Sequence, residues 1–164
     1  MCGFTGSVSV QPINNSLIDA ANKLIDCRGP DVKCFVEKKY DTFNLNFWFN
    51  RLSILDLSEA ANQPMYSKEF NTMVMFNGEI YNHTDLRQDL QNKGLKFNTS
   101  HSDTETLLVG LSYYGTQFVD KLRGQFAIAF FDEKKSKLFL IRDRLGQKPL
   151  YYFLDNENIH FGSS

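Results

Sequence analysis

Residues 124–132 read GQFAIAFFD, and this stretch decides the fold. Apolar residues occupy both alternating sets of the segment, with Phe126, Ile128 and Phe130 in one set and Ala127, Ala129 and Phe131 in the other. The pattern predicts a strand that is buried on both of its faces. A polar turn at 133–136 separates it from a second strand at 137–142, so we expect residues 125–132 and 137–142 to form a hairpin.

Further strands are predicted along the chain from alternation and short apolar runs. They cover residues 4–10, 34–37, 43–49 and 72–76, with a second hairpin from 151–154 and 159–161. In the segment 43–49, Phe43, Leu45, Phe47 and Phe49 fall on one face. The dipeptide Asn77-Gly78 predicts a turn that ends the strand 72–76.

Three helices are predicted from apolar residues spaced three and four apart. The first runs over 16–26, the second carries Leu86 and Leu90, and the third carries a stripe of Leu107, Leu108 and Leu111. The candidate caps are Asn82 or Thr84 for the second helix, and Ser102 or Asp103 for the third. Strands outnumber helices and short turns join them, which favours an α+β fold with antiparallel sheet over a parallel βαβ fold.

Composition narrows the class of protein. The chain has 164 residues, 42% of them hydrophobic, which is enough for one compact domain with a real core. A net charge of −1 gives no electrostatic reason to expect a nucleic acid or membrane partner. The amino terminus lacks the cationic start and apolar stretch of a signal peptide, and no apolar run reaches membrane-spanning length. We therefore expect a cytoplasmic protein.

The cysteines give no sign of a metal site or a disulfide framework. Cys2, Cys27 and Cys34 are odd in number and lack CxxC spacing, and the three histidines stand apart from them. We expect no metal. A redox or zinc protein, with a Cys27–Cys34 disulfide or stoichiometric zinc, is kept as an alternative.

Cys2 is the unusual position, because an initiator methionine before a small residue is normally removed. Removal of Met1 would give Cys2 a free α-amine, and an unperturbed α-amine titrates at about 8, close to an unperturbed thiol at about 8.5. One residue would then supply both nucleophile and general base. The dipeptide alone favours an ordinary residue after an initiator methionine, so the case for Cys2 depends on the rest of the chain.

Seven further motifs follow the MCG start in a fixed order. They are CRGPD (27–31), RLSILDLS (51–58), NQP (62–64), NGEIYN (77–82), SDTE (102–105), GQFAIAFFD (124–132) and RDRLGQKPLYY (142–152). Together they resemble the class II glutamine amidotransferase domain, and more closely the amino-terminal domain of the glutamine-hydrolysing asparagine synthetases. The resemblance covers essentially the whole chain. It implies an N-terminal nucleophile hydrolase fold, a four-layer αββα sandwich of two facing antiparallel sheets.

The resemblance also implies a role for six residues. Cys2 would attack the side-chain amide of glutamine to give a glutamyl thioester and ammonia. The Asn77 side chain and the Gly78 N–H would bind the oxyanion, for which neutral donors are suitable. Arg51 would clamp the α-carboxylate of glutamine, while Asp103 and Glu79 would bind its α-ammonium. Taken singly, Arg51 also suits a surface ion pair, Asp103 a helix cap and Glu79 a solvated side chain.

Partners and cofactors are expectations from the same resemblance. We expect residues 1–164 to be one glutaminase domain, a fragment of a longer chain that lacks its synthetase domain. The domain itself would need no cofactor, whereas ATP and Mg would belong to the missing synthetase domain. The expected partners are glutamine, a C-terminal synthetase domain and a second copy in a homodimer. The ammonia acceptor stays open between aspartate and another carboxylate, and a catalytically silent regulatory module is the alternative function.

Two motifs carry further expectations. Cys27 stands where many relatives of this family have the His of HRGPD, which puts regulation or rate in doubt, and we expect Cys27 to be a small buried filler. Arg142, Asp143 and Arg144 are expected to form an ion-pair network or to face the partner domain.

Overall fold

The chain folds into two antiparallel sheets. The computed structural model describes residues 2–51, 62–155 and 157–164. The first sheet has the strand order β2-β3-β1-β9-β8, with β1 at Gly3–Ser9, β2 at Val32–Lys39, β3 at Asn44–Arg51, β8 at Tyr151–Asp155 and β9 at Asn158–Gly162. The second has the order β4-β5-β6-β7, with β4 at Met65–Ser67, β5 at Thr72–Ile80, β6 at Gly124–Asp132 and β7 at Lys137–Arg142.

Strand β6 is buried on both faces, as its alternation predicts. Its set Phe126, Ile128 and Phe130 belongs to one apolar core, and its set Ala127, Ala129 and Phe131 belongs to another. On its edges β6 pairs with β5 and with β7, and the β6–β7 pairing confirms the predicted hairpin. The β8–β9 pairing confirms the second hairpin. β6 thus joins the two cores of the molecule.

The core between the sheets confirms that they face each other. Its buried members come from both sheets: Phe4, Leu45, Phe47, Phe49 and Phe161 from the first, and Met73, Met75, Ala127, Ala129 and Phe131 from the second. Phe43 is half-buried and packs against the same cluster, so the predicted apolar face of β3 is confirmed. On the opposite face of β3, Trp48 stacks on Phe35 with ring centroids 5.2 Å apart.

Helices cover the outer sides of the sheets. α1 (Asn15–Ile25) lies against β1, and a short 3₁₀ helix follows it at Asp26–Arg28. α2 (His83–Asn92) and α3 (Asp103–Tyr114) pack on the outer face of the second sheet, with a 3₁₀ helix at Gly115–Lys121. In the described part of the chain no helix has the length and apolar character needed to cross a membrane.

The helix caps differ between α2 and α3. Ser102 caps α3, and its Oγ accepts a hydrogen bond from the Glu105 N–H at 3.2 Å. Asp103 is therefore the first residue of α3 and its side chain is free for another role. Asn82 precedes α2 without capping it, because its Oδ1 accepts instead from the Arg123 N–H at 2.9 Å.

The predicted turn at Asn77-Gly78 is wrong. β5 continues through both residues to Ile80, and they pair with Ala127 and Phe126 of β6. A Cβ atom at position 78 would lie 2.0 Å from the Gln125 carbonyl oxygen. The glycine is thus needed for close approach of two strands, a requirement that the local sequence does not distinguish from that of a turn.

A polar clasp around Glu133 joins the sheets on one side. Its Oε1 accepts from the Lys38 ammonium and from the Tyr40 hydroxyl, the latter at 2.5 Å, and its Oε2 accepts from the Tyr66 hydroxyl at 2.9 Å. Burial alone would raise the pKa of Glu133, but Lys38 and the two hydroxyls hold this pKa below its usual value. The clasp links β2 of the first sheet to β4 and the β6–β7 turn of the second.

We expect Glu133→Gln to lower the free energy of unfolding by about 1–3 kcal/mol at neutral pH. A carboxylate whose pKa is lower in the folded state adds stability above its unfolded pKa, and this stability is lost as the pH falls through the folded pKa. The difference between wild type and Glu133→Gln in denaturant unfolding should therefore shrink in acid. Glu69→Gln, at an exposed carboxylate, is the control and should have little effect. A pH-independent difference would contradict an electrostatic clasp.

Candidate active site

The pairing of β1 with β3 places Cys2 and Arg51 near each other. Gly3 lies opposite Asn50 in the antiparallel register, so Cys2 and Arg51 occupy the next position at the end of this strand pair. Cys2 is half-buried and packs against the core between the sheets. Arg51 is buried, and its Nη1 donates to Asn62 Oδ1 at 2.7 Å. A buried arginine thus lies beside the cysteine that precedes β1.

The CRGPD motif closes over the same end of β3. A Cβ atom at Gly29 would lie 2.3 Å from the Asn50 carbonyl oxygen, and the Asp31 N–H donates to the Arg51 carbonyl oxygen at 3.1 Å. Gly29 therefore allows this segment to cross β3 in close contact, which explains why the motif has a glycine at this position. Residues 52–58 of the RLSILDLS motif lie outside the described residues.

Asn77 of the second sheet is linked by hydrogen bonds to the start of β1, the strand that follows Cys2. Its side chain is 1% exposed, and its Nδ2 donates to Ser163 Oγ at 3.3 Å. The same oxygen accepts from the Phe4 N–H at 3.0 Å. Since Phe4 follows Cys2 by two residues, Ser163 connects the start of β1 to the polar part of β5.

Asp103 and Glu79 bring negative charge to the end of β5. Asp103 Oδ2 accepts from the Ile80 N–H at 3.3 Å, and Glu79 is the exposed residue just before Ile80. Burial raises the pKa of Asp103 and the Glu79 charge adds to this rise, while the Ile80 N–H and His83 oppose it. Among the salt bridges of the described residues none involves Asp103. A carboxylate of this kind is suited to receive a cationic ligand.

Asn62 and Gln63 join the Arg51 and Asp103 sides of the site. Asn62 accepts from Arg51, as described above, and Gln63 Oε1 accepts from the Phe76 N–H at 2.6 Å. Gln63 Nε2 donates to Thr104 Oγ1 at 3.4 Å, next to Asp103. The sequence shows the NQP motif, but it does not predict that Asn62 and Gln63 connect Arg51 to the start of α3.

Glu105 fixes the segment that carries Asp103. Its buried carboxylate accepts from the Asn98 N–H at 2.7 Å, the Thr99 N–H at 2.8 Å and the Thr99 hydroxyl at 2.6 Å, and Arg87 Nη2 lies 3.7 Å away. The Ser-x-x-Glu spacing of residues 102–105 is the sequence signature of a capping box and marks Glu105 as a residue of the helix start. The Ser102 N–H donates to Thr99 Oγ1, however, and Glu105 bonds to Asn98 and Thr99 instead.

The expectation about Cys27 is wrong, and half of the expectation about residues 142–144 is not met. Cys27 is exposed and not a buried filler, and none of the three cysteines forms a disulfide. Among the described residues, Arg142, Asp143 and Arg144 form no ion-pair network with one another; that they face a partner domain stays a prediction. Asp143 instead accepts from backbone N–H groups, at 2.8 Å from Gln147 and 2.9 Å from Lys148. Burial would raise the pKa of Asp143, but these backbone donors lower it. Arg144 Nη2 lies 3.7 Å from Asp120 Oδ1 in an exposed ion pair.

No group of three or more His, Cys, Asp or Glu side chains suited to a metal ion occurs in the described ranges. The described part of the site consists of a thiol, a guanidinium, amides and carboxylates.

Comparisons with known proteins match the whole chain. A family model for the glutamine amidotransferase domain matches residues 1–164. Glutamine-hydrolysing asparagine synthetase 1 of Bacillus subtilis is 38% identical over 168 residues, which cover 99% of this chain and 26% of that protein. A putative glutamine-hydrolysing asparagine synthetase 2 of Methanocaldococcus jannaschii is 33% identical over 181 residues, covering 99% of this chain and 34% of that protein. The chain therefore spans about a quarter to a third of the length of these relatives.

A solved structure shares the fold. Glutamine phosphoribosylpyrophosphate amidotransferase from Bacillus subtilis, in complex with ADP and GMP, superimposes with a TM-score of 0.78 at 17% identity. The match covers 99% of this chain and 42% of that one.

We expect Gly78→Ala to destabilise the chain by about 1–3 kcal/mol, because the added Cβ would force β5 away from the Gln125 backbone. Gly162→Ala is the matched control, since a Cβ there would meet its nearest atom at an ordinary 3.4 Å. Denaturant unfolding of both variants measures the difference. Equal destabilisation by the two substitutions would show that close strand approach at Gly78 is not the cause.

Proposed function

Because the chain belongs to the glutamine amidotransferase domain family, we propose that it hydrolyses glutamine to glutamate and ammonia through a glutamyl thioester on Cys2. The match over residues 1–164 shows the family, and the likeness to the phosphoribosylpyrophosphate amidotransferase confirms the N-terminal nucleophile hydrolase fold, with its two facing antiparallel sheets. The observation that supports the mechanism is a pair of hydrogen bonds through Ser163 Oγ. They connect Phe4, two residues after Cys2, to the Asn77 side chain.

The reaction begins with proton transfer within Cys2. Its α-amine, free once Met1 is removed, takes the thiol proton as the sulfur attacks the side-chain carbonyl carbon of glutamine. Collapse of the tetrahedral intermediate breaks the C–N bond, and the α-ammonium returns the proton to the leaving ammonia. Water then adds to the thioester, the C–S bond breaks, and glutamate leaves with the thiol restored. With Met1 in place the amine is part of a peptide bond and this base is lost.

Asn77 and Gly78 are the proposed oxyanion donors. The buried Asn77 amide keeps an N–H beyond the one it gives to Ser163, since an amide NH₂ carries two hydrogens. Neutral donors held in place before reaction stabilise a developing oxyanion without reorganising. The fit of Gly78 against Gln125 supports a fixed position for this part of β5.

The charged groups account for selection of an amino acid. Arg51 provides a planar cation for the α-carboxylate of glutamine. Asp103 and Glu79 provide negative charge for the α-ammonium. None of the described salt bridges involves Asp103, so the α-ammonium would give this carboxylate a cationic partner. The side-chain amide of glutamine would then extend toward Cys2.

The acceptor of the ammonia is proposed to be a substrate of an ATP-dependent synthetase domain, as the names and lengths of the relatives suggest. The first sheet offers a surface for such a partner at its edge strand β8. Four consecutive apolar side chains there, from Tyr151 to Leu154, are each 63–65% exposed. Edge strands with apolar residues on both faces are normally covered by another element.

Intact-mass analysis tests the mechanism directly. We expect the purified chain to lack Met1 and to take up one equivalent of diazo-oxo-norleucine, a glutamine-analogue electrophile, on Cys2. Cys2→Ala should take up none and should lose glutamine hydrolysis. Normal hydrolysis by a processed Cys2→Ala variant would overturn the proposed nucleophile. A wild-type chain without Met1 that neither reacts nor hydrolyses glutamine would favour the silent regulatory module instead.

Asp103 should control how glutamine binding depends on pH. Binding of the α-ammonium needs the ionised carboxylate, and burial raises the pKa of Asp103 above its usual value. We expect KM for glutamine to rise as the pH falls below this pKa, by about tenfold per unit, with kcat much less affected. Asp103→Asn should have a high KM and lose this dependence.

Asp85→Asn, at an exposed carboxylate in α2, is the control and should keep the wild-type profile. An acid limb of KM that is unchanged in Asp103→Asn would assign ammonium binding to another group.

A further inference from the structure

We propose that Ser163 is a positioning residue that holds the Asn77 amide in the orientation needed for oxyanion binding. The inference rests on the proposed function, because it assigns Ser163 a role in the same reaction through Asn77. It comes from a hydrogen-bond arrangement that neither the motifs nor the comparisons assign.

Ser163 is completely buried between the two sheets. Its side chain has 0% exposure, and its Oγ accepts from two donors, the Phe4 N–H at 3.0 Å and Asn77 Nδ2 at 3.3 Å. Its own N–H donates to the Phe4 carbonyl oxygen at 2.9 Å. Two hydrogen bonds to one residue of β1 therefore fix the backbone and the hydroxyl oxygen of Ser163 together.

The Ser163 hydroxyl decides which hydrogen of Asn77 faces the reaction. An amide NH₂ has two donors in one plane, and occupying one of them sets the direction of the other. Without an acceptor at 3.3 Å the Asn77 side chain would be free to turn about its last torsion or to present its carbonyl oxygen. An oxygen in that position would repel an oxyanion, so an amide held with its N–H toward the oxyanion stabilises it better than a mobile amide does.

The arrangement also links the strand that follows the nucleophile to the oxyanion donor. Phe4 is two residues from Cys2 on one sheet, and Asn77 belongs to the other sheet. Ser163 Oγ accepts hydrogen bonds from both Phe4 and Asn77, so one atom fixes the position of both sheets at the site. A positioning residue of this kind should affect kcat and leave binding of the amino-acid head almost unchanged.

Steady-state kinetics of Ser163→Ala give the first test. We expect kcat for glutamine to fall about tenfold with KM changed by less than about twofold, since an oxyanion donor becomes loose without being deleted. Ser164→Ala, at the exposed neighbouring serine, is the matched control and should behave as wild type. Melting curves of both variants check that the fold is kept.

A double-mutant cycle with Asn77→Ala separates positioning from a general structural effect. In the Asn77→Ala background, Ser163→Ala should lower kcat by less than about twofold, because the group that it orients is absent. The rate of alkylation of Cys2 by iodoacetamide should be the same in wild type and Ser163→Ala, since that displacement forms no tetrahedral oxyanion. Equal losses in both backgrounds, or slowed alkylation, would overturn the proposal.

A measurement without turnover distinguishes failure of this inference from failure of the proposed function. In NMR spectra of the ¹⁵N-labelled chain, the Asn77 side-chain hydrogens should exchange with solvent at least tenfold faster in Ser163→Ala than in wild type. That result in a chain that does not hydrolyse glutamine would keep Ser163 as the residue that orients Asn77 and would reject only the reaction. Unchanged exchange would reject the orienting role itself, whether or not the chain is active.

Discussion

Burial of β6 on both faces is the constraint on which the rest of the structure depends. One set of its side chains meets the first sheet and the other meets α2 and α3, so three layers are held by a single strand. Apolar burial of this kind is the dominant favourable contribution to folding. Because β6 also pairs with β5 along its whole length, it fixes the register of the strand that carries Asn77, Gly78 and Glu79.

The polar groups of the site lie where this apolar core ends. Cys2 packs against the edge of the core, Arg51 closes β3 beside it, and Asp103 meets the end of β5. A buried polar group costs free energy unless it is hydrogen-bonded. Asn62 meets that requirement for Arg51, and Ser163 meets it for Asn77. Gln63 and Glu105 bond to neighbouring groups at Phe76, Thr104, Asn98 and Thr99.

Most of the fold could be predicted from local patterns, whereas most of the polar contacts could not. Alternation in residues 124–132 and 43–49 predicts the strands and their buried faces, because a period of two follows directly from strand geometry. The Asn77-Gly78 turn was predicted wrongly because the prediction used only the two neighbouring residues. Glycine serves a turn and a close approach of two strands equally well, and only the position of Gln125 distinguishes them. The Glu133 clasp joins residues up to 95 apart in sequence and left no local signal.

Candidate site residues raise a different difficulty, because their chemistry depends on groups that are distant in sequence. Asp103 at a helix start reads as a cap, and only the capping bond of Ser102 frees it for another role. Ser163 is 86 residues from Asn77 and 159 from Phe4, so no spacing rule connects them. Yet its single hydroxyl oxygen accepts hydrogen bonds from Phe4 of the first sheet and from Asn77 of the second. The proposed nucleophile on one sheet and the proposed oxyanion donor on the other need such a fixed relation, since a displacement of about 1 Å is enough to cost about a hundredfold in rate. The core between the sheets holds them together, but apolar contacts are not directional. Hydrogen bonds are directional, and those of Ser163 therefore set the orientation that burial alone leaves open.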